Sequence, residues 1–138
     1  MLDGYEYIQK AMPNQPAESD EGNREYKWKL VDRKKIRKIA SQLQYRLYEG
    51  DGRALYMIGV TDKGNSWGID IETLAESLQY LEDACNELNK ENPGHKITKA
   101  RIYPGLTQDK YVATVRVARP PKSIIAVPPE DTALAIKI

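Results

Sequence analysis

The feature that most limits the folds open to this chain is a pair of helical stretches, each with a single apolar stripe. In the first, Ile36, Ile39, Ala40, Leu43 and Leu47 recur at helical spacing behind Asp32, a candidate N-cap, until Gly50 and Gly52 stop the run. In the second, Ile71, Leu74, Ala75, Leu78, Leu81, Cys85 and Leu88 follow Asp70, another candidate cap, and Asn92-Pro93-Gly94 ends the pattern. A helix with one stripe covers a neighbour on one side only, so both need an apolar sheet to lie on. The intervening segments predict one. Residues 26–30 alternate apolar and basic side chains, and residues 54–60 form an apolar run too brief for a helix. Asp62-Lys63-Gly64-Asn65 signals a turn into a return strand at 66–69, and residues 97–103 and 111–118 read as two more strands.

The order is therefore β-α-β-β-α-β-β, an α+β fold in which an antiparallel-rich mixed sheet carries two helices on one face. A chain of 138 residues fits one such domain. Pro13, Pro16, Asn14 and Ser19 mark residues 1–22 as a flexible arm, disordered or laid over a neighbouring surface. Residues 23–118 make the domain, and 119–138, with two Pro-Pro pairs, are a C-terminal extension.

Several function classes drop out. With 41% hydrophobic and 30% charged residues the chain is too apolar for a disordered one. Cys85 is the sole cysteine, which excludes an internal disulfide and a cysteine-built zinc site. It falls on an apolar stripe and reads as core, while His95, the sole histidine, reads as an exposed loop residue without a partner for a triad. No G-x-x-x-x-G-K-[ST] or G-x-G-x-x-G sequence occurs, so no nucleotide-binding P-loop and no bound cofactor are expected. The apolar run at 55–60 is far below the ~20 residues of a membrane span, and the N-terminus has no signal-like apolar segment. The expectation is a soluble, cytoplasmic protein with no membrane partner.

Charge is unevenly spread although the formal net is only +1. The first helix carries Arg33, Lys34, Lys35, Arg37, Lys38 and Arg46 against Glu49, a balance of +5. The macrodipole disfavours cations at a helix start by ~0.3–1 kcal/mol each, so a bias of this kind invites an anion. Lys27 and Lys29 on the preceding strand extend the same surface, and Tyr26, Trp28, Tyr45 and Tyr48 offer faces on which RNA bases stack. The competing reading is a solvated charged face with Trp28 in the core, balanced by the second helix. That helix bears Asp70, Glu72, Glu76, Glu82, Asp83, Glu87 and Glu91 against Lys90, a balance of −6, and is also a candidate docking face for a protein partner.

A second constellation is acidic. Asp20, Glu21 and Glu25 precede or lie on the first strand, and Asp62 follows the 54–60 run. If the two strands are neighbours, these carboxylates converge on one edge, an oxygen-only set suited to Mg²⁺ or Mn²⁺ and to metal-assisted phosphodiester hydrolysis. The plainer reading makes Asp62 a turn residue and Asp20-Glu21 loop.

Three blocks carry a resemblance. Glu21-Gly22-Asn23-Arg24-Glu25-Tyr26-Lys27-Trp28-Lys29-Leu30, Tyr45-Arg46-Leu47-Tyr48-Glu49-Gly50-Asp51-Gly52 and Tyr56-Met57-Ile58-Gly59-Val60-Thr61-Asp62-Lys63-Gly64 resemble, in that order, the N-terminal domain of GTPBP-type translational GTPases, relatives of elongation factor Tu. The resemblance implies a translation-associated module, and with the basic helix start it points to RNA or ribosome binding through Lys27, Lys29, Arg33, Lys34, Lys35, Arg37, Lys38 and Arg46. It does not carry GTP binding across, because the nucleotide-binding residues are missing from this sequence. A fainter similarity links Glu25-Tyr26-Lys27 and Ile58-Gly59-Val60 with Asp62 to Schlafen-type AlbA-like domains. That resemblance implies a metal-dependent ribonuclease whose ligands are Glu25, Asp62 and either Asp20 or Glu21.

Overall fold

The computed structural model describes residues 4–120. In chain order these form β1 (Glu6–Tyr7), β2 (Arg24–Lys27), a 3-10 turn (Arg33–Lys35) leading into α1 (Ile36–Glu49), β3 (Arg53–Ile58), α2 (Ile71–Asn89), β4 (Lys96–Pro104) and β5 (Tyr111–Ala118). The strands make one five-stranded sheet in the order β1-β4-β5-β3-β2. Its centre is antiparallel, with β5 between β4 and β3, while β1 and β2 join the edges in parallel. Parallel neighbours cannot be linked by a tight turn. Between β2 and β3 the crossover is α1 itself.

Both helices lie on one face. Leu43 and Leu47 of α1 and Leu74, Leu78 and Leu81 of α2 pack with Tyr56 and Ile58 of β3 and Val115 and Val117 of β5. Of the apolar stripes predicted from spacing, all residues but Ala40 and Ala75 belong to this cluster. On the other face a smaller cluster gathers Tyr26, Met57, Val60 and Val112 under Met12. Residues 8–18 run across the sheet there, tied by Ile8 N–H to the Ile102 carbonyl (2.8 Å), Met12 to Pro104 (3.0 Å), Gln15 to Gly64 (2.7 Å) and Glu18 to Asp62 (2.8 Å).

Three local expectations fail for identifiable reasons. Residues 66–69 form no strand, only a bridge between Ile69 and Tyr111. Gly59 and Gly68 both hold φ of +89°, and the Gly68 N–H donates to the Gly59 carbonyl at 3.0 Å. The two backbones meet at a left-handed corner, a conformation outside the β region. The first strand sits at Arg24–Lys27 rather than 26–30, because its ladder with β3 runs out at the Lys27–Ile58 pair, just before that corner. Asp70 precedes α2 but makes no side-chain cap; its carboxylate pairs with Lys110. Among the described residues no helix is long and apolar enough to cross a membrane.

Candidate nucleic-acid interface

The cations that open α1 are set out by a capped turn. Asp32 accepts from the Lys34 N–H at 3.1 Å and starts the 3-10 turn, so Arg33, Lys34 and Lys35 fan out from one short arc with Arg37 and Lys38 on the next turn. All five are exposed. The two arginines face α2. Arg33 pairs with Asp83 and lies over the Tyr80 ring (4.9 Å to the centroid), and Arg37 reaches Glu87 at 3.8 Å. The Arg33 guanidinium, followed by the Gln79 amide, holds the Asp83 carboxyl below its ordinary range. Part of the acidic face of α2 is thus spent on α1. Among the described residues Lys34, Lys35 and Lys38 have no carboxylate partner.

Lys29, two residues past β2, is exposed, whereas Lys27 at its end is partly buried 3.5 Å from Glu25. Lys27, Lys29 and Lys35 line a shallow cleft of about 240 Å³ with Ile39 and Tyr80. Trp28 is 42% exposed and therefore not core, but it does not line this cleft. The other expected stacking residues are elsewhere. Tyr26 is buried under residues 8–18, its hydroxyl bonded to the Pro16 carbonyl. Tyr45 donates to the Asp20 carbonyl and Tyr48 is exposed, both toward the far end of α1.

Arg46 does not join the basic surface. It is 4% exposed, and its guanidinium donates to Glu25 Oε1 (2.9 Å) and to the carbonyls of Ser19 (2.8 Å), Glu21 (3.2 Å) and Gly22 (2.8 Å). Four hydrogen bonds from one planar fork fasten β2 and the chain before it to α1. The same contact explains Glu25, whose side chain lies on the helix side of β2 and is taken up by Arg46 and Lys27.

The acidic residues are likewise not assembled as a metal site. Asp20, Glu21 and Asp62 are exposed, and among the described residues no three His, Cys, Asp or Glu side chains are placed to hold an ion. The carboxylate that feels both Glu25 and Asp62 is Glu18, which the sequence pattern did not single out. It accepts from the Tyr26 N–H. Burial, then the charges of Glu25 and Asp62, push its pKa up against that hydrogen bond and Arg46. A carboxyl raised in the folded state binds its proton more tightly there than when unfolded, so ionisation lowers stability above the folded pKa and has no effect below the unfolded one. Glu18→Gln keeps an acceptor for Tyr26 and drops the charge. Its melting temperature is expected to exceed wild type by a few degrees at pH 7, with the gap closing as pH falls through the carboxylate range; equal curves at pH 7, or a gap that persists in acid, would contradict this.

Two further residues read from the sequence are placed by the fold. Cys85 is buried, and burial followed by the Glu82 charge pushes its thiol up to about 12, so it is inert core. His95, expected in solvent, is 8% exposed. The Asn89 side chain accepts from its N–H (2.7 Å) and donates to its carbonyl (2.9 Å), while the ring Nδ1 lies 2.9 Å from the Asn92 carbonyl. These bonds fold the loop after α2 back under the helix.

The chain has sequence relatives among known proteins. The chain is 42% identical over 71 residues to GTP-binding protein 2 of Mus musculus and, to the same extent, of Homo sapiens. Half of this chain is therefore related to a segment of GTP-binding protein 2. The match covers 50% of this chain but only 12% of that protein's length. The chain is also 32% identical over 77 residues to an uncharacterized protein, R625, of Acanthamoeba polyphaga mimivirus, covering 54% of this chain and 41% of that protein. No family profile matches, and no solved structure does. The first resemblance drawn from the sequence thus has support, and the Schlafen-type one gains none.

Proposed function

We propose that this chain is a non-enzymatic RNA- or ribosome-contacting module of the kind found at the front of GTPBP-type translational GTPases, with phosphates taken by the start of α1. The observation that carries the reading is the set Lys34, Lys35 and Lys38, exposed at a helix start and without carboxylate partners among the described residues. Lys29 and the cleft it lines with Lys27 and Lys35 enlarge the same surface. The relation to part of GTP-binding protein 2 makes a translational setting the favoured one. GTP binding belongs to those relatives by name, and this sequence holds no P-loop.

The test is a titration against transfer RNA and ribosomal RNA fragments over a range of salt. Each phosphate contact contributes about 0.7–0.9 to the slope of log K against log salt. Lys34→Ala/Lys35→Ala/Lys38→Ala is expected to lower that slope by about 2–3 and to weaken binding at every RNA sequence tried. A salt-independent affinity in the wild type, or a triple variant that binds as the wild type does, rules the assignment out.

A further inference from the structure

The sheet face turned away from the helices is split in two. One half is the apolar patch covered by Met12 and residues 8–18. The other half is open among the described residues, and its side chains follow from strand alternation. Ala54, Tyr56 and Ile58, Val115 and Val117, and Ala100 and Ile102 all point into the helix-side core. The residues between them, Arg53 on β3, Arg116 on β5 and Lys99 and Arg101 on β4, therefore point the other way. On β2, Glu25 turns to Arg46 of α1 and Tyr26 to Met12, which puts Arg24 on the open face as well.

Arg24, Arg53, Arg116 and Lys99 thus share the open half, with Arg101 in the next row beside the covered patch, and the carboxylate paired with any of these five is Glu6, 2.9 Å from Arg101 and 3.8 Å from Lys99. Arg24, Arg53 and Arg116 have no carboxylate partner among the described residues. Their register is unfavourable for the sheet alone. Lys99 and Arg116 are direct cross-strand partners, and Arg116 and Arg24 flank Leu55 from either side. Like charges placed opposite each other on adjacent strands are destabilising. The row from Lys99 to Arg24 crosses three strand spacings, about 14 Å, so it matches an extended polyanion rather than a single phosphate. None of the exposed large apolar side chains, Trp28, Tyr45, Tyr48, Trp67 and Leu106, lies on this row.

We infer that this open half-face is a second RNA surface, laid along the sugar-phosphate backbone and indifferent to base identity. The choice of RNA as the partner rests on the function proposed above; the site does not, since it lies on the opposite side of the sheet from the α1 lysines.

That separation lets one experiment judge both. Arg53→Gln/Arg116→Gln is compared with Lys34→Ala/Lys35→Ala/Lys38→Ala and with wild type, in the full chain, against one structured transfer RNA across salt. The sheet variant is expected to bind at least tenfold more weakly at 0.1 M salt and to lower the salt slope by about 1.5–2, with an unfolding midpoint no lower than wild type. Arg53→Lys/Arg116→Lys keeps the charges and should retain most of the binding. If the sheet variant binds as wild type while the lysine variant is impaired, the second surface is overturned and the first stands. If only the sheet variant is impaired, the half-face is the RNA site and the α1 assignment falls. A wild type that binds no RNA, or a sheet variant whose weakening tracks a lowered unfolding midpoint, overturns the proposal.

Discussion

Arg46→Ala is expected to remove about 3–5 kcal/mol of folding stability, read as the extrapolated free energy in urea denaturation, and to lower the melting temperature by roughly 10–20 °C. The size follows from what remains behind. Glu25 is 5% exposed and would be left with only Lys27, 3.5 Å away, and three backbone carbonyls before β2 would lose their donor. An uncompensated buried charge is far more harmful than the intact pair is helpful. Adding Glu25→Gln to Arg46→Ala should therefore recover part of the loss. Arg46→Lys should recover little, because an ammonium offers no planar fork to carboxylate and carbonyls together. A loss under 1 kcal/mol for Arg46→Ala would show that water or neighbouring chain replaces the guanidinium, and that the segment from Ser19 to Gly22 is not held by it.

The second large effect is expected at Gly59, where alanine should lower stability by about 2–4 kcal/mol. An L side chain at a φ of +89° is strained by about 1–2 kcal/mol on conformational grounds alone. The added Cβ would also stand 2.8 Å from the Tyr111 carbonyl oxygen and 3.3 Å from the Gly68 Cα, both backbone atoms that cannot rotate away. Moving Tyr111 disturbs the start of β5, the strand that joins the two halves of the sheet. Urea denaturation of Gly59→Ala gives the number directly. A value below 0.5 kcal/mol would mean that the corner re-forms with a different backbone course.

What was legible in the sequence is what periodicity records. The stripe of α1 and that of α2 name the core positions on the helix side, and the α+β class with an antiparallel-rich mixed sheet follows from them and from the apolar runs of β3, β4 and β5. Three kinds of information are not periodic. The strand β1 is two residues long, below any alternation signal, and exists because Glu6 and Tyr7 meet Arg101 and Ile102 from across the chain. The corner at Gly59 and Gly68 turns a strand-like segment into a close backbone crossing. Arg46 looks like one more cation of a basic helix, yet its position on the stripe side, between Leu43 and Leu47, was the one clue that it faces inward. The candidate interface divides in the same way. The lysines at the start of α1 could be read from composition, whereas the cations of the open half-face are scattered over four strands and come together only through register. Glu18 escaped because nothing in its neighbours' identities says that it lies against Asp62.

The strands at the two ends of the sheet are also its shortest, two residues in β1 and four in β2. A long bare edge is a template on which another copy of the chain can add a strand. Here β4, nine residues long, is shielded by β1 only at Arg101 and Ile102, and its remaining stretch carries Lys96 and Lys99 around a register break between Ile97 and Lys99. Charges and a bulge at that place oppose edge-to-edge pairing. The lysine that loads the open half-face with positive charge thus also guards the sheet against self-association, so neutralising it would favour aggregation at high protein concentration even where the folded state is no less stable.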